Sequence, residues 1–195
     1  SMRRVVEGAM ILTDTNLGII YTIDSEREEI IASYEYPLKS GHLPTRFSEK
    51  LGLTWEVYST GQIVEVEDIT SHPKISKKFA QSGMKSSIGI PLKLGDRVVG
   101  VLFLNSAQGH ISTQEEKKLL TALAEQGAIA LEHSRLYDKS QELNMRLALL
   151  HTIMSEIISD PTNIERITDL IVENLSQIFK KSSCAIRLYD AESKE

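Results

Sequence analysis

Apolar residues recur at helical spacing at Val5, Val6, Ala9 and Leu12, which predicts a short amphipathic helix over residues 3–13. After Asp14-Thr15-Asn16 the period shortens. Residues 18–24 and 29–36 are apolar and β-prone around the polar Ser25–Glu28, a hairpin pattern, and residues 37–44, with two prolines and Gly41, read as a loop. Leu53–Thr60 predicts a short helix with Thr54 at its N-cap and Gly61 as its stop. Residues 63–67 alternate apolar and acidic, as a half-exposed strand does. Ser71–Ser82 reads as a turn and a small helix with Ile75 and Phe79 on one face. Ile88, Ile90, Leu92 and Leu94 alternate with Ser87, Gly89, Pro91 and Lys93; Gly95-Asp96 then turns the chain into residues 98–105 through a type II′ hairpin. Pro91 lacks an N–H, so a bulge or unpaired position is expected there. Five strands joined by short loops and small helices define the fold class as α+β, an antiparallel β-sheet flanked by helices, followed by a long C-terminal helix.

That helix opens at Ser112-Thr113-Gln114-Glu115, which has the form of a capping box. No proline interrupts residues 113–160, a span of about 70 Å if helical throughout. Its apolar residues repeat every seven. One set is Leu119, Gln126, His133, Ser140, Leu147 and Met154; the other, Ala122, Ile129, Leu136, Leu143, Leu150 and Ile157, is apolar throughout. Sustained over roughly six heptads, this predicts a coiled coil whose polar members set register. Over residues 113–137 the helix also packs on its own domain; beyond Tyr137 a partner helix must cover Leu143, Leu147 and Leu150. A homodimer is therefore expected, with Ile129, Leu136, Leu143, Leu147, Leu150, Met154 and Ile157 at the interface.

A second helix is predicted over residues 164–181 and a strand over 184–190. A shift of 166 residues lays Val5–Glu29 on Ile171–Glu195 with six identities in 25 positions: Val6/Val172, Glu7/Glu173, Ile20/Ile186, Asp24/Asp190, Glu26/Glu192 and Glu29/Glu195. Ordinary composition gives one or two, at about 6% per position. Residues 164–195 are thus expected to begin a second copy of the domain, cut off after its first strand. Leu175, Ile178, Phe179, Ile186 and Leu188 would then pair with another chain, fold back or stay disordered.

Composition narrows the functional classes. Hydrophobic residues at 41% and charged residues at 25% describe a globular chain, and the longest strongly apolar run, Val98–Leu104, is far short of a membrane span. No membrane partner is expected. A net charge of −5 argues against nucleic acid as a partner, and Lys74, Lys77, Lys78 and Lys85 read as a solvated face. The single cysteine, Cys184, fits a reducing cytoplasm and excludes a disulfide framework or a cysteine-rich zinc site. The sequence holds no nucleophile elbow, phosphate-cradling glycine loop, His-Glu-x-x-His or calcium loop. His42, His72, His110, His133 and His151 lack ligand spacing, and Glu65 and Glu67 read as solvated like charges on one strand face. No catalytic residue, metal ligand or cofactor is identified.

Gly83-Met84-Lys85-Ser86-Ser87-Ile88-Gly89-Ile90-Pro91-Leu92, then Gly95 and Val99-Gly100-Val101-Leu102, resembles the core of GAF domains. So do residues 119–137, from Leu119-Leu120 through Ala124-Glu125-Gln126-Gly127 to Leu136-Tyr137. Gly52-Leu53, Thr60-Gly61-Gln62, Val66-Glu67-Asp68-Ile69 and His72-Pro73 look like the family's middle section. The chain departs from the pattern at Ile111, where an aromatic is usual, and at His133, where asparagine is common. The resemblance covers residues 3–137, with residues 138–160 as a linker helix continuing from 113. It implies first and last helices packed on one face of the sheet and a small-molecule pocket on the other. It also implies a cytoplasmic regulatory module of a bacterial-type histidine kinase, transcriptional activator, cyclase or phosphodiesterase. The family's bilin-attaching members and its methionine sulfoxide reductases need cysteines that residues 3–137 lack. The cyclic-nucleotide signature is missing too, and no haem or iron ligand set is visible. An enzyme is therefore not expected. A small-molecule ligand, if one binds, is expected near Trp55, Tyr58, Asp68, His72, Phe79, Ser86 and Ser87, with aromatic walls and hydroxyl or carboxylate hydrogen bonds. A purely core-filling role for Trp55 and Phe79 fits the same spacing, as does a ligand-free dimerising spacer.

Overall fold

A computed structural model describes residues 2–24, 29–37, 46–47, 52–159 and 164–178. The elements are α1 (Met2–Thr13), β1 (Leu17–Asp24), β2 (Glu29–Tyr36), β3 (Arg46–Phe47), α2 (Gly52–Thr60), β4 (Val64–Val66), α3 (Lys77–Ala80), β5 (Ser86–Leu94), β6 (Arg97–Ser106), α4 (Gln114–Ser159) and α5 (Ile164–Ile178). The strands form one six-stranded sheet in the order β3-β2-β1-β6-β5-β4, every pair antiparallel. Five of the strands were expected; β3, two residues long, is too short to leave a pattern. The loops predicted at Ser25–Glu28 and residues 38–44 lie outside the described residues, as does the strand predicted at 184–190.

Period-two alternation sorts the sheet into two apolar layers. On one face Ile20, Ile88, Ile90, Leu92, Leu102 and Leu104 bury against Val6 and Ala9 of α1 and Leu120, Ala124, Ala128 and Leu131 of α4. On the other, Leu17, Ile19, Tyr21, Val66, Val101 and Phe103 bury against Leu53 and Val57 of α2. Both faces are covered, so β5 is buried from Ser86 to Leu92 and its apparently polar face is interior as well. Gly89 permits this on the α2 side: an added Cβ would come 2.8 Å from Val57 Cγ2 and 2.7 Å from Phe103 Cε1.

Several local expectations shift by a residue or two. Thr54 lies inside the first turn of α2, which begins at Gly52, and so cannot be its N-cap. The stop at Gly61 holds, with φ +61° and an N–H donated to the Val57 carbonyl at 2.9 Å. The helix α3 is only four residues, capped by Ser76 Oγ accepting from the Phe79 N–H; Ile75 precedes it, although both Ile75 and Phe79 pack against the α2-side layer. Gly95 has φ +60° while Asp96 does not adopt positive φ, as a type II′ turn requires. The β5 irregularity falls between Leu92 and Lys93, and Pro91 itself opposes Val101. Since β4 pairs only with Ser87–Gly89, β5 has edge character at Pro91, where a missing N–H is tolerated.

Residues 1–135 form one compact unit and 136–195 a second. The helix α4 starts in the first and ends in the second without interruption. Its capping box is Thr113 and Glu116, one residue later than expected: the Thr113 N–H donates to Glu116 Oε2 at 2.7 Å and the Glu116 N–H to Thr113 Oγ1 at 3.2 Å. Ser112 is displaced from that role because Glu65 takes its N–H. In the second unit Leu149, Ile153 and Ile157 of α4 and Ile167, Leu170 and Ile171 of α5 are half-buried.

Candidate functional site

Helix α2 turns Leu53 and Val57 onto the sheet, four residues apart on one face. At 100° per residue Trp55 and Tyr58 then lie roughly 140–200° further round. They stack on each other, ring centroids 5.4 Å apart and planes tilted by 45°, and remain half-buried against the α2-side layer. Phe79, Ile75 and Met84 add half-buried apolar surface to the same layer. Trp55, Tyr58 and Phe79 therefore all pack with the α2-side layer, but Trp55 and Tyr58 stand on the side of α2 turned away from Leu53 and Val57.

The polar members of the predicted set divide. Ser87 is buried on the α2 side, in the cross-strand row Leu17–Asn105–Ser87–Val66. Ser86, one residue earlier, faces the α4 side with Ile88, and its Oγ accepts from the His110 N–H at 2.8 Å. Strand alternation thus keeps the two serines from converging on one molecule. Asp68 is exposed and turned back on its own loop: its carboxylate accepts from the Thr70 N–H at 2.9 Å and from the hydroxyls of Thr70 and Ser71. The Thr70 hydrogen bonds hold its pKa below the usual carboxylate range. His72 Nδ1 accepts from the Lys74 N–H at 3.3 Å, within the same turn. Lys74 pairs with Glu56 of α2 at 2.9 Å, tying that turn to the helix.

A second polar group, missed in the sequence, sits where β4 meets the start of α4. The Glu65 side chain, 14% exposed, accepts from the Ser112 N–H at 2.6 Å and from Lys117 Nζ at 2.7 Å. It is a bolt between an edge strand and the long helix. Glu65 and Glu67 do not form the expected solvated pair on one strand face: β4 ends at Val66, Glu67 is exposed beyond it, and Glu65 is paired. No local pattern could have shown this, because Lys117 is fifty-two residues away. Nearby, His110 Nε2 lies 3.3 Å from Glu116 Oε1 of the capping box.

Burial alone would raise the Glu65 pKa, but the bonds from Lys117 and Ser112 outweigh it and the net shift is downward. A depressed folded-state pKa contributes stability above the unfolded value, near 4.5, and loses it as pH falls through the folded value. The wild-type protein should therefore lose stability on acidification below about pH 4.5 more steeply than Glu65→Gln. At pH 7 Glu65→Ala should cost about 1–3 kcal/mol, since Lys117 and the Ser112 N–H are left unpaired. Urea denaturation of each variant from pH 7 to pH 3 measures both; parallel curves for wild type and Glu65→Gln would remove the bolt.

The predicted dimer residues form a stripe on α4. Leu120, Ala124, Gly127, Ala128 and Leu131 face the domain, and an added Cβ on Gly127 would stand 3.1 Å from Val5 Cγ1 of α1. At 100° per residue the heptad positions Leu119, Ala122, Gln126, Ile129 and His133 point roughly 160° away from that face. Their larger apolar members are exposed, from 41% at Ile129 to 59% at Leu150, through Leu136, Leu143, Leu147 and Met154; Ile157 alone is half-buried. A shallow groove of about 310 Å³ lies elsewhere, lined by Glu7, Met10, Ile11, Asp14, Thr15 and Tyr36. Among the described residues no group of three His, Cys, Asp or Glu side chains could hold a metal, and no helix is long and apolar enough to cross a membrane.

Residues 2–132 match the family model described as GAF domain. Among solved structures, the chain is similar to the GAF domain/HD domain protein from Geobacter sulfurreducens, at 15% identity and a TM-score of 0.60, covering 69% of this chain and 92% of that one. It is similar to the GAF domain of a two-component sensor histidine kinase from Bacillus halodurans, at 20% identity and a TM-score of 0.60, with 71% and 98% covered. It is also similar to free methionine-R-sulfoxide reductase from Neisseria meningitidis, at 23% identity and a TM-score of 0.54, with 70% and 80% covered.

Proposed function

The chain belongs to the GAF domain family, and we propose that it is a non-catalytic sensory module of a cytoplasmic, bacterial-type signalling protein. It takes a small molecule on the α2 side of the sheet and passes the signal through a dimer of α4. One observation carries the reading: α4 is a single helix that begins packed on the sheet and presents an exposed heptad stripe on its opposite side. A stripe so placed leaves the domain packing intact while a second helix docks. The Glu65 bolt joins β4, whose Val64 and Val66 pack in the α2-side layer, to the first turns of α4. A ligand that binds one position of β4 better than another would bias where α4 starts, by no more than its differential affinity for the two.

The sulfoxide-reductase relative raises an enzymatic alternative. Against it stands the cysteine inventory, a single Cys184 outside the domain. The reading with a ligand-free spacer differs in one respect: it needs no site at Trp55, Tyr58, Phe79 and Ser87.

A thermal-shift screen against nucleotides, haem, bilins and small acids decides between them. A ligand at a hundred times its Kd should stabilise wild type by about 2.7 kcal/mol. Trp55→Ala and Phe79→Ala should retain the fold and lose that shift. A screen in which nothing stabilises wild type favours the spacer, and turnover abolished by these substitutions would restore the enzyme.

A further inference from the structure

Resting on the dimeric reading, we infer that two copies of α4 pair parallel and in register, with Gln126, His133 and Ser140 each meeting its own counterpart. The argument is one of matching polar positions. All three polar members fall in one heptad set, with Leu119, Leu147 and Met154, while the alternate set from Ala122 to Ile157 is apolar throughout. In a parallel pair each set meets itself; in an antiparallel pair each set meets the other.

Overlap the two helices antiparallel over their full heptad run and Gln126 lies opposite Leu150, His133 opposite Leu143 and Ser140 opposite Leu136. Six polar side chains, three from each copy, then enter an apolar seam with leucine as partner, and a buried polar group without a hydrogen bond is costly. Run parallel, Gln126 meets an amide, Ser140 a hydroxyl, and a neutral His133 offers one ring N–H to the acceptor nitrogen of its counterpart. Every apolar residue of the second set still meets an apolar residue.

The side chains themselves fit this role. Among the described residues Gln126, His133 and Ser140 are exposed, and none makes a hydrogen bond or ion pair within its own chain. Off the seam, Gln141 Nε2 donates to Tyr137 Oη at 2.8 Å and Arg146 pairs with Glu142 at 2.5 Å.

Cysteine cross-linking tests the orientation. With Cys184 replaced by Ser, the variants Gln126→Cys and Leu150→Cys are oxidised separately and, after subunit exchange between differently tagged copies, together. Parallel pairing gives a disulfide-linked dimer from each variant alone and no product joining position 126 to position 150. The reverse, a 126–150 product without self-linked dimers, overturns the orientation and leaves the dimer standing. A sedimenting monomer that yields neither product overturns the dimer itself. The triple variant Gln126→Leu, His133→Leu, Ser140→Leu supplies an independent measure. It should tighten the dimer by roughly tenfold or more and, with Ile129→Cys and Leu147→Cys added on separate copies, admit the antiparallel 129–147 product, because the polar members no longer select register. A triple variant that dimerises more weakly than wild type overturns the assignment.

Discussion

Leu143→Lys with Leu150→Lys is expected to convert the proposed dimer to a monomer at every accessible concentration. Both side chains are more than half exposed in the single chain, so neither supports the fold of its own copy. At the proposed seam they would face their counterparts, and the double variant would bury four ammonium groups without partners. Each buried ion costs on the order of several kcal/mol even after relaxation, so affinity should fall by well over roughly a thousandfold. Residues 1–135 should keep their thermal transition, because the two apolar layers draw nothing from residues 143 or 150. Sedimentation velocity reads the first outcome and circular dichroism the second. Dimers that survive the double substitution would mean that another surface joins the copies.

The second large effect concerns close approach of the backbone rather than the seam. Gly100 lies in β6 between Thr22 of β1 and Leu92 of β5. A Cβ there would stand 2.7 Å from the Tyr21 carbonyl oxygen and 3.1 Å from Leu131 Cδ1 of α4. The oxygen belongs to the backbone just past the β1 irregularity at Ile20/Tyr21, so it cannot swing aside as a flexible side chain would. Gly100→Val must part β1 from β6 or lift Leu131, and should cost roughly 3 kcal/mol or more. Gly8 in α1 makes the contrast: nothing lies within 4 Å of its added Cβ. Gly8→Ala should instead stabilise by about 0.5–1 kcal/mol, through helix propensity and a less free unfolded chain. Denaturant midpoints measure both. Equal signs for the two substitutions would refute the packing account.

In the proposed relay the Glu65 bolt couples the ligand face to the helix that would dimerise. It lies within the domain, whereas the seam lies on the far side of α4, so the two can be tested apart. Glu65→Gln should leave the cross-linking pattern unchanged and alter only how β4 and α4 are joined.

How much was legible without coordinates depended on the range of the interaction. The period of the apolar residues named α1, α2, β1, β2, β4, β5, β6, α4 and α5, because each is set by whether neighbours in sequence share a face. The II′ turn at Gly95-Asp96 and the stop at Gly61 were equally local, since each requires a positive φ that glycine adopts freely. The heptad sets of α4 were legible for the same reason, and so was the family, whose motifs are short runs of adjacent residues.

What folding in three dimensions decided was pairing across distance. Ser112 had the chemistry of a cap, but Glu65 takes its N–H and the cap moves to Thr113. Ser87 lies on the α2 side of the sheet, where Trp55, Tyr58 and Phe79 pack against the same layer, while Ser86 points the other way, a fact of strand alternation that a list of nearby residues hides. Asp68 looked available and is spent on its own loop. A sequence period records which side of an element is apolar; only the packed sheet determines what that side meets, because the groups that meet are tens of residues apart and compete for the same donors.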